Sequence, residues 1–202
     1  PLLASFTYWK QNDSITGTIV CAEEAIPRLD YQTILRYFST PDASRANEFA
    51  GDAMRMLDKG EFSTSMQLWE KAAAMDPGNI IYPYEIAYTW NAQKNYQKAL
   101  CTLKPLVGRV DEVDSVYQML GNVYSDLNKP ELAIAAYQEG LKKFPDSGKL
   151  YLELGTTYLR LGKPDQAAAF YESGISREPQ FPSNYFHAAQ LFARSTERIW
   201  AV

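Results

Sequence analysis

Few side chains in this sequence could carry out a reaction. The 202 residues include one histidine, His187, and two cysteines, Cys21 and Cys101. A histidine base needs a nucleophile to activate and an acid to orient it. The sequence leaves a distant partner open, and a surface or groove histidine is the expectation. The cysteines are too dispersed for a zinc finger; pairing between the two stays open, and a free, buried thiol is the expectation for each. The carboxylate pairs Glu23-Glu24 and Asp111-Glu112 read as solvated surface, not as a general acid and its base. The sequence holds neither a G-x-x-x-x-G-K-[ST] phosphate loop nor a G-x-G-x-x-G fingerprint. The expectation is therefore a non-enzymatic chain with no catalytic residues, no metal and no cofactor.

Composition narrows the alternatives. Apolar residues make up 46% and charged residues 22%, ordinary values for a folded chain. The net charge of −4 has the wrong sign for nucleic-acid binding through an overall field, so no nucleic-acid partner is expected. Nor is a membrane span expected, since no apolar run reaches about 20 residues. The start, Pro1-Leu2-Leu3-Ala4-Ser5-Phe6, reads either as the tail of a signal-peptide apolar region or as a local strand or turn. Exported or periplasmic and cytoplasmic locations both stay open. Asn12-Asp13-Ser14 matches a glycosylation triplet, a pattern that arises often by chance, in a polar loop.

The elements that must position any functional group emerge from an internal repeat. Residues 114–147 align without a gap on 148–181, and twelve of 34 positions are identical. Among them are Tyr117/Tyr151, Leu120/Leu154, Gly121/Gly155, Tyr124/Tyr158, Ala133/Ala167, Tyr137/Tyr171 and Pro145/Pro179. Two earlier units follow in the same register, with Ile86, Ala87, Trp90, Ala99 and Leu103 in 80–113 and Phe49, Ala53, Met56, Trp69, Ala72 and Pro77 in 46–79. Asp111 stands where a proline is expected, and Asp52 where a leucine is. Each unit predicts two helices of about 14 residues. Asn128 and Gly162 are placed to stop the first helix in a left-handed conformation. Pro130 and Pro164 are placed to open the second. Gly121 and Ala133 are small where the paired helices must approach closely.

The pattern resembles the tetratricopeptide repeat family. The resemblance implies an all-α fold, a right-handed superhelical solenoid of antiparallel helix pairs. It covers residues 46–202 as repeats 46–79, 80–113, 114–147 and 148–181 and a partial fifth repeat, 182–202. Residues 1–45 lie outside it. They form an extra N-terminal segment with an extended piece, Thr16 to Cys21, and a short helix, Asp30 to Phe38, expected to cap the open end of the solenoid. A second helix of the fifth repeat is expected to start near Thr196, so the native chain is expected to continue beyond Val202.

The resemblance also implies a function. The first helices of such repeats line a concave groove that receives a peptide or partner helix, and repeat positions 5, 9 and 12 face it. In the first repeat these are Ala50, Met54 and Leu57. The candidate groove residues follow: Tyr84, Tyr88, Asn91, Gln118, Asn122, Ser125, Leu152, Thr156, Leu159, Phe186 and Gln190. Tyrosine offers area with a polar tip, and Asn and Gln offer a donor and an acceptor to a peptide backbone. The alternative for these residues is packing against neighbouring helices, or a groove filled by the chain's own N-terminal segment. The Lys and Asn of the family's carboxylate clamp for chaperone C-termini are replaced by Ala50 and Met54, or by Tyr84 and Tyr88, so that specificity is not expected. The expected partner is a protein or peptide ligand. Two other readings stay open: the repeat portion of a larger enzyme or envelope-associated protein, and self-association through the solenoid ends.

Overall fold

The computed structural model describes residues 42–109 and 113–200, with side chains described up to Ala193. The expected extended piece at Thr16 to Cys21, the helix at Asp30 to Phe38, the Asn12 triplet and both carboxylate pairs lie outside the described residues.

Among the described residues the regular structure is entirely helical: α1 (Ala43–Asp58), α2 (Phe62–Met75), α3 (Ile81–Ala92), α4 (Tyr96–Leu103), α5 (Asp114–Asp126), α6 (Pro130–Lys143), α7 (Gly148–Arg160), α8 (Pro164–Arg177) and α9 (Pro182–Trp200). Consecutive helices pack on each other along the chain, and α7 also touches α5 and α9, the first helices of the neighbouring pairs. This is a solenoid of helix pairs, in which each unit buries its apolar faces against the next.

Local chemistry explains the boundaries. Gly60, Lys94, Asn128 and Gly162 have positive φ of 76°, 59°, 56° and 72°, and they recur every 34 residues. Each turns the chain within a three-residue connection, so the second helix runs back along the first. Pro130 and Pro164 occupy the first position of α6 and α8, where no amide donor is needed. Asp42 caps α1 by accepting from the Arg45 amide at 3.0 Å. The second unit ends differently from the others: α4 has only 8 residues and passes into a 3₁₀ turn, Lys104–Leu106. Pro105 lacks the amide that would continue the α-helix.

Two expectations are corrected here. Cys101 is disulfide-bonded, not a free thiol. A thiol and a half-cystine have the same sequence signature, and spacing alone carries no information on which forms. Helix α9 runs without a break through Thr196, where the spacing placed the cap of a new helix. The stretch Ala193-Arg194-Ser195-Thr196-Glu197-Arg198 has neither Gly nor Pro to stop it, unlike the turns at Gly60 or Gly162. The substitution of Asp52 does not interrupt α1, a helix of 16 residues in which Asp52 pairs with Arg55 one turn on.

The core is a continuous stack. Its largest cluster joins Leu100, Leu103, Val116, Tyr117, Val123, Tyr137, Leu150 and Leu154 across α4 to α7. Smaller clusters surround Trp69 at one end and Tyr171 at the other. The glycines of the repeat give the two helices of a pair their close approach. A Cβ on Gly121 would lie 2.1 Å from the Tyr137 ring, and one on Gly155 would lie 2.3 Å from the Tyr171 ring. Each tyrosine therefore lies flat over a glycine of the helix before it, and this sets where its hydroxyl emerges.

Candidate functional site

The tyrosine hydroxyls emerge on the side of the first helices. Tyr137 is 1% exposed, yet its Oη donates to Asn122 Oδ1 at 2.6 Å. Tyr171 Oη is 3.3 Å from Thr156 Oγ1 in the next pair. Around Tyr137 opens a concave pocket of about 360 Å³, lined by Asn91 of α3, Asn122, Ser125 and Asp126 of α5, Glu153, Thr156, Thr157 and Arg160 of α7, and Tyr137 itself. It spans three successive first helices, so no single repeat could form it.

Hydrogen bonds hold the walls in place. Gln118 Nε2 donates to Glu153 Oε1 at 2.8 Å, and Arg160 Nη1 donates to Ser125 Oγ at 2.7 Å. Both bonds run from α5 to α7. Nearer the start of those helices, Asp114 accepts from Ser147 Oγ at 2.7 Å and from Lys149 Nζ at 3.1 Å. The Lys149 charge is thus committed to a wall. One group stands apart: the buried Asn91 Oδ1 makes no hydrogen bond.

The pocket lining carries two carboxylates, Asp126 and Glu153, and one guanidinium, Arg160. Burial pushes the Tyr137 phenol well above the usual range, Glu153 pushes it further, and Thr157 and Arg160 oppose more weakly. Tyr171 is raised by burial, lowered by its bond to Thr156 and raised again by Glu153. On α3, burial raises the Glu85 carboxyl, and the Tyr84 phenol is raised by burial, Glu85, Tyr88 and Asp114. Among the described residues no group of three His, Cys, Asp or Glu side chains is arranged to hold a metal ion.

Of the candidate groove residues, the pocket gathers Asn91, Asn122, Ser125 and Thr156. Gln118 stands behind them as the partner of Glu153. Tyr84 is half-buried against the main core, whereas Tyr88 is 44% exposed. Leu152 and Leu159 pack, half-buried, on the cluster around Tyr171. Phe186 is 59% exposed and meets the edge of His187, and Gln190 is exposed. His187 itself sits between Phe186 and Tyr171, with Nδ1 2.9 Å from the Ser183 carbonyl. Positions 5, 9 and 12 did not point to Asp126, Tyr137, Glu153, Thr157 or Arg160. For Tyr137 the signal was present: its identity with Tyr171 and that of Gly121 with Gly155 mark one packing device used twice.

Comparison with known proteins follows the same geometry. A tetratricopeptide repeat family profile matches residues 119–184. The crystal structure of MamA protein superposes with a TM-score of 0.57 at 22% identity, covering 78% of this chain and 86% of that one. The structure of pilF from Pseudomonas aeruginosa gives 0.62 at 17% identity, covering 77% and 71%. Residues 119–184 thus match the tetratricopeptide repeat family, and the described solenoid shares the fold of these structures. In sequence, the chain is 28% identical over 109 residues to the Hsp70-Hsp90 organising protein of Plasmodium falciparum (isolate 3D7). The match takes in 50% of the chain and 19% of that relative, so the chain spans about a fifth of its length. No helix among the described residues is long and apolar enough to cross a membrane.

Proposed function

We propose that this chain is a non-enzymatic interaction scaffold that receives an extended peptide in the groove formed by α3, α5 and α7. The observation that carries the reading is the pocket around Tyr137, where Asn91, Asn122 and Thr156 from three successive helices face one cavity. An extended strand repeats its amides and carbonyls on both edges, and carboxamides match them because each has a donor and an acceptor. The oxygen of Asn122 is committed to Tyr137, which leaves its amide nitrogen to offer. The exposed ring of Tyr88 supplies apolar area beside these polar groups. The likeness to a protein named for organising two chaperones supports the role of scaffold. It does not extend to the carboxylate clamp, whose Lys and Asn are replaced by Ala50 and Met54, or by Tyr84 and Tyr88.

The test is selection of displayed random peptides on the immobilised 202-residue chain. Peptides that are captured should be lost from the double variant Asn122→Arg, Thr156→Arg, whose long side chains fill the pocket. Circular dichroism verifies that the variant keeps its helices. Capture unchanged by the folded variant removes the groove assignment.

A further inference from the structure

The geometry points to a definite preference in the groove: the pocket around Tyr137 takes a basic side chain, a lysine ammonium or an arginine guanidinium, from the bound peptide. This rests on the groove reading above and names the chemistry of its ligand.

Size sets the first limit. Pockets for whole small molecules run from about 300 to 1,000 Å³. A cavity of about 360 Å³ stands at the low end of that range and has room for one long side chain entering from the groove. The lining sets the second. It carries two carboxylates, Asp126 and Glu153, against one guanidinium, Arg160. Arg160 already gives a hydrogen bond to Ser125, and Glu153 receives one from the neutral Gln118, which leaves its negative charge uncompensated by that bond. Lys149, on the groove wall, is paired with Asp114. The field at the floor follows the same sign, because Glu153 acts on the Tyr137 hydroxyl more strongly than Arg160 does.

The third limit is hydrogen-bond capacity. Glu153 and Asp126 are acceptors only, and the hydroxyls of Thr156 and Thr157 can accept. An ammonium or guanidinium brings three or five donors and no acceptor, the complement of such a lining. An acidic side chain would place a third negative charge among the same groups. A small aliphatic residue would leave all of the acceptors dry. The polarity is thus opposite to that of a clamp for acidic C-termini.

The experiment uses the peptides selected on the full chain. Their sequences should share one Lys or Arg position. Replacing that residue by norleucine, which keeps the length and removes the charge, should weaken binding by tenfold or more in a fluorescence-polarisation titration. Glu153→Gln should weaken the basic peptide to a similar degree and leave the norleucine peptide's affinity unchanged. That second comparison separates loss of the charge contact from loss of fold. Selected peptides that depend on the pocket but share no basic position overturn this inference and leave the groove reading standing. Selected peptides with an acidic consensus, including a C-terminal carboxylate, overturn it equally. Selection that yields no peptide overturns both.

Discussion

The pocket exists only if Tyr137 lies on Gly121, and Gly121→Ala tests that contact. The added methyl would sit 2.1 Å from Cε1, 2.5 Å from Cζ and 2.6 Å from Cδ1 of the ring. Carbon pairs rest near 3.5–4.0 Å, so the ring must retreat by about 1.5 Å. It cannot do so freely, since it is 1% exposed and its hydroxyl is tied to Asn122. Overpacking of a tight site costs about 1–3 kcal/mol, and this site belongs at the upper end. Alanine in place of glycine within a helix returns about 1 kcal/mol. The net expectation is a destabilisation of about 2 kcal/mol, with weakened peptide capture because the displaced ring moves toward the pocket. Gly51→Ala in α1 is the internal control. Its methyl meets only Arg55 Nη1 at 3.8 Å, so the propensity gain stands alone and stability should rise by up to about 1 kcal/mol. Urea unfolding followed by circular dichroism reads both. A Gly121→Ala chain as stable as the parent would refute the packing and, with it, the floor of the pocket.

Other expectations are independent of the ligand. Lys94 holds φ of 59° at a position where two of the equivalent turns use glycine, so Lys94→Gly should raise stability by about 1 kcal/mol in the same urea assay. Burial raises the Glu85 carboxyl above its unfolded value, so its ionised form opposes folding above the folded pKa and the penalty vanishes below the unfolded one. Glu85→Gln should therefore raise the melting midpoint at neutral pH, with a gain that shrinks as the solution is acidified. Cys101 should resist maleimide in the unfolded chain until a reductant is added, as mass spectrometry of the labelled peptide will show.

The fold was legible because its unit is repeated and each repeat carries its own punctuation. Asn128 and Gly162 marked two turns, and Pro130 and Pro164 marked the helices after them. The turn at Lys94 carried no such mark. A lysine takes the left-handed conformation there because the helices on either side fix it, and local propensity cannot report that. The candidate site was legible in part for a similar reason. Positions 5, 9 and 12 place a side chain on the face of one helix, which found Asn91, Asn122, Ser125 and Thr156. A pocket that spans three helices also draws on positions 6, 10 and 13, and on a tyrosine from the layer behind. Those depend on the stacking of one unit on the next, which no single repeat specifies.

The stacking also explains why the polar pocket lies where it does. Each first helix has a small residue at repeat position 8, and the second helix carries its large partner at position 24. In the first two repeats these are Ala53 with Trp69 and Ala87 with Leu103, all buried in apolar clusters. In the third and fourth they are Gly121 with Tyr137 and Gly155 with Tyr171. At these two glycines the place of the missing methyl is taken by the tyrosine ring. That ring ends in a hydroxyl, which must find a partner on the groove side: Asn122 for Tyr137 and Thr156 for Tyr171. The pairing of glycine with tyrosine is therefore what turns an apolar seam into a polar floor. Binding specificity should sit in the third and fourth repeats, and transplanting Gly and Tyr together to positions 87 and 103 should extend the polar floor toward α3, whereas Leu103→Tyr alone should destabilise the chain by overpacking against Ala87.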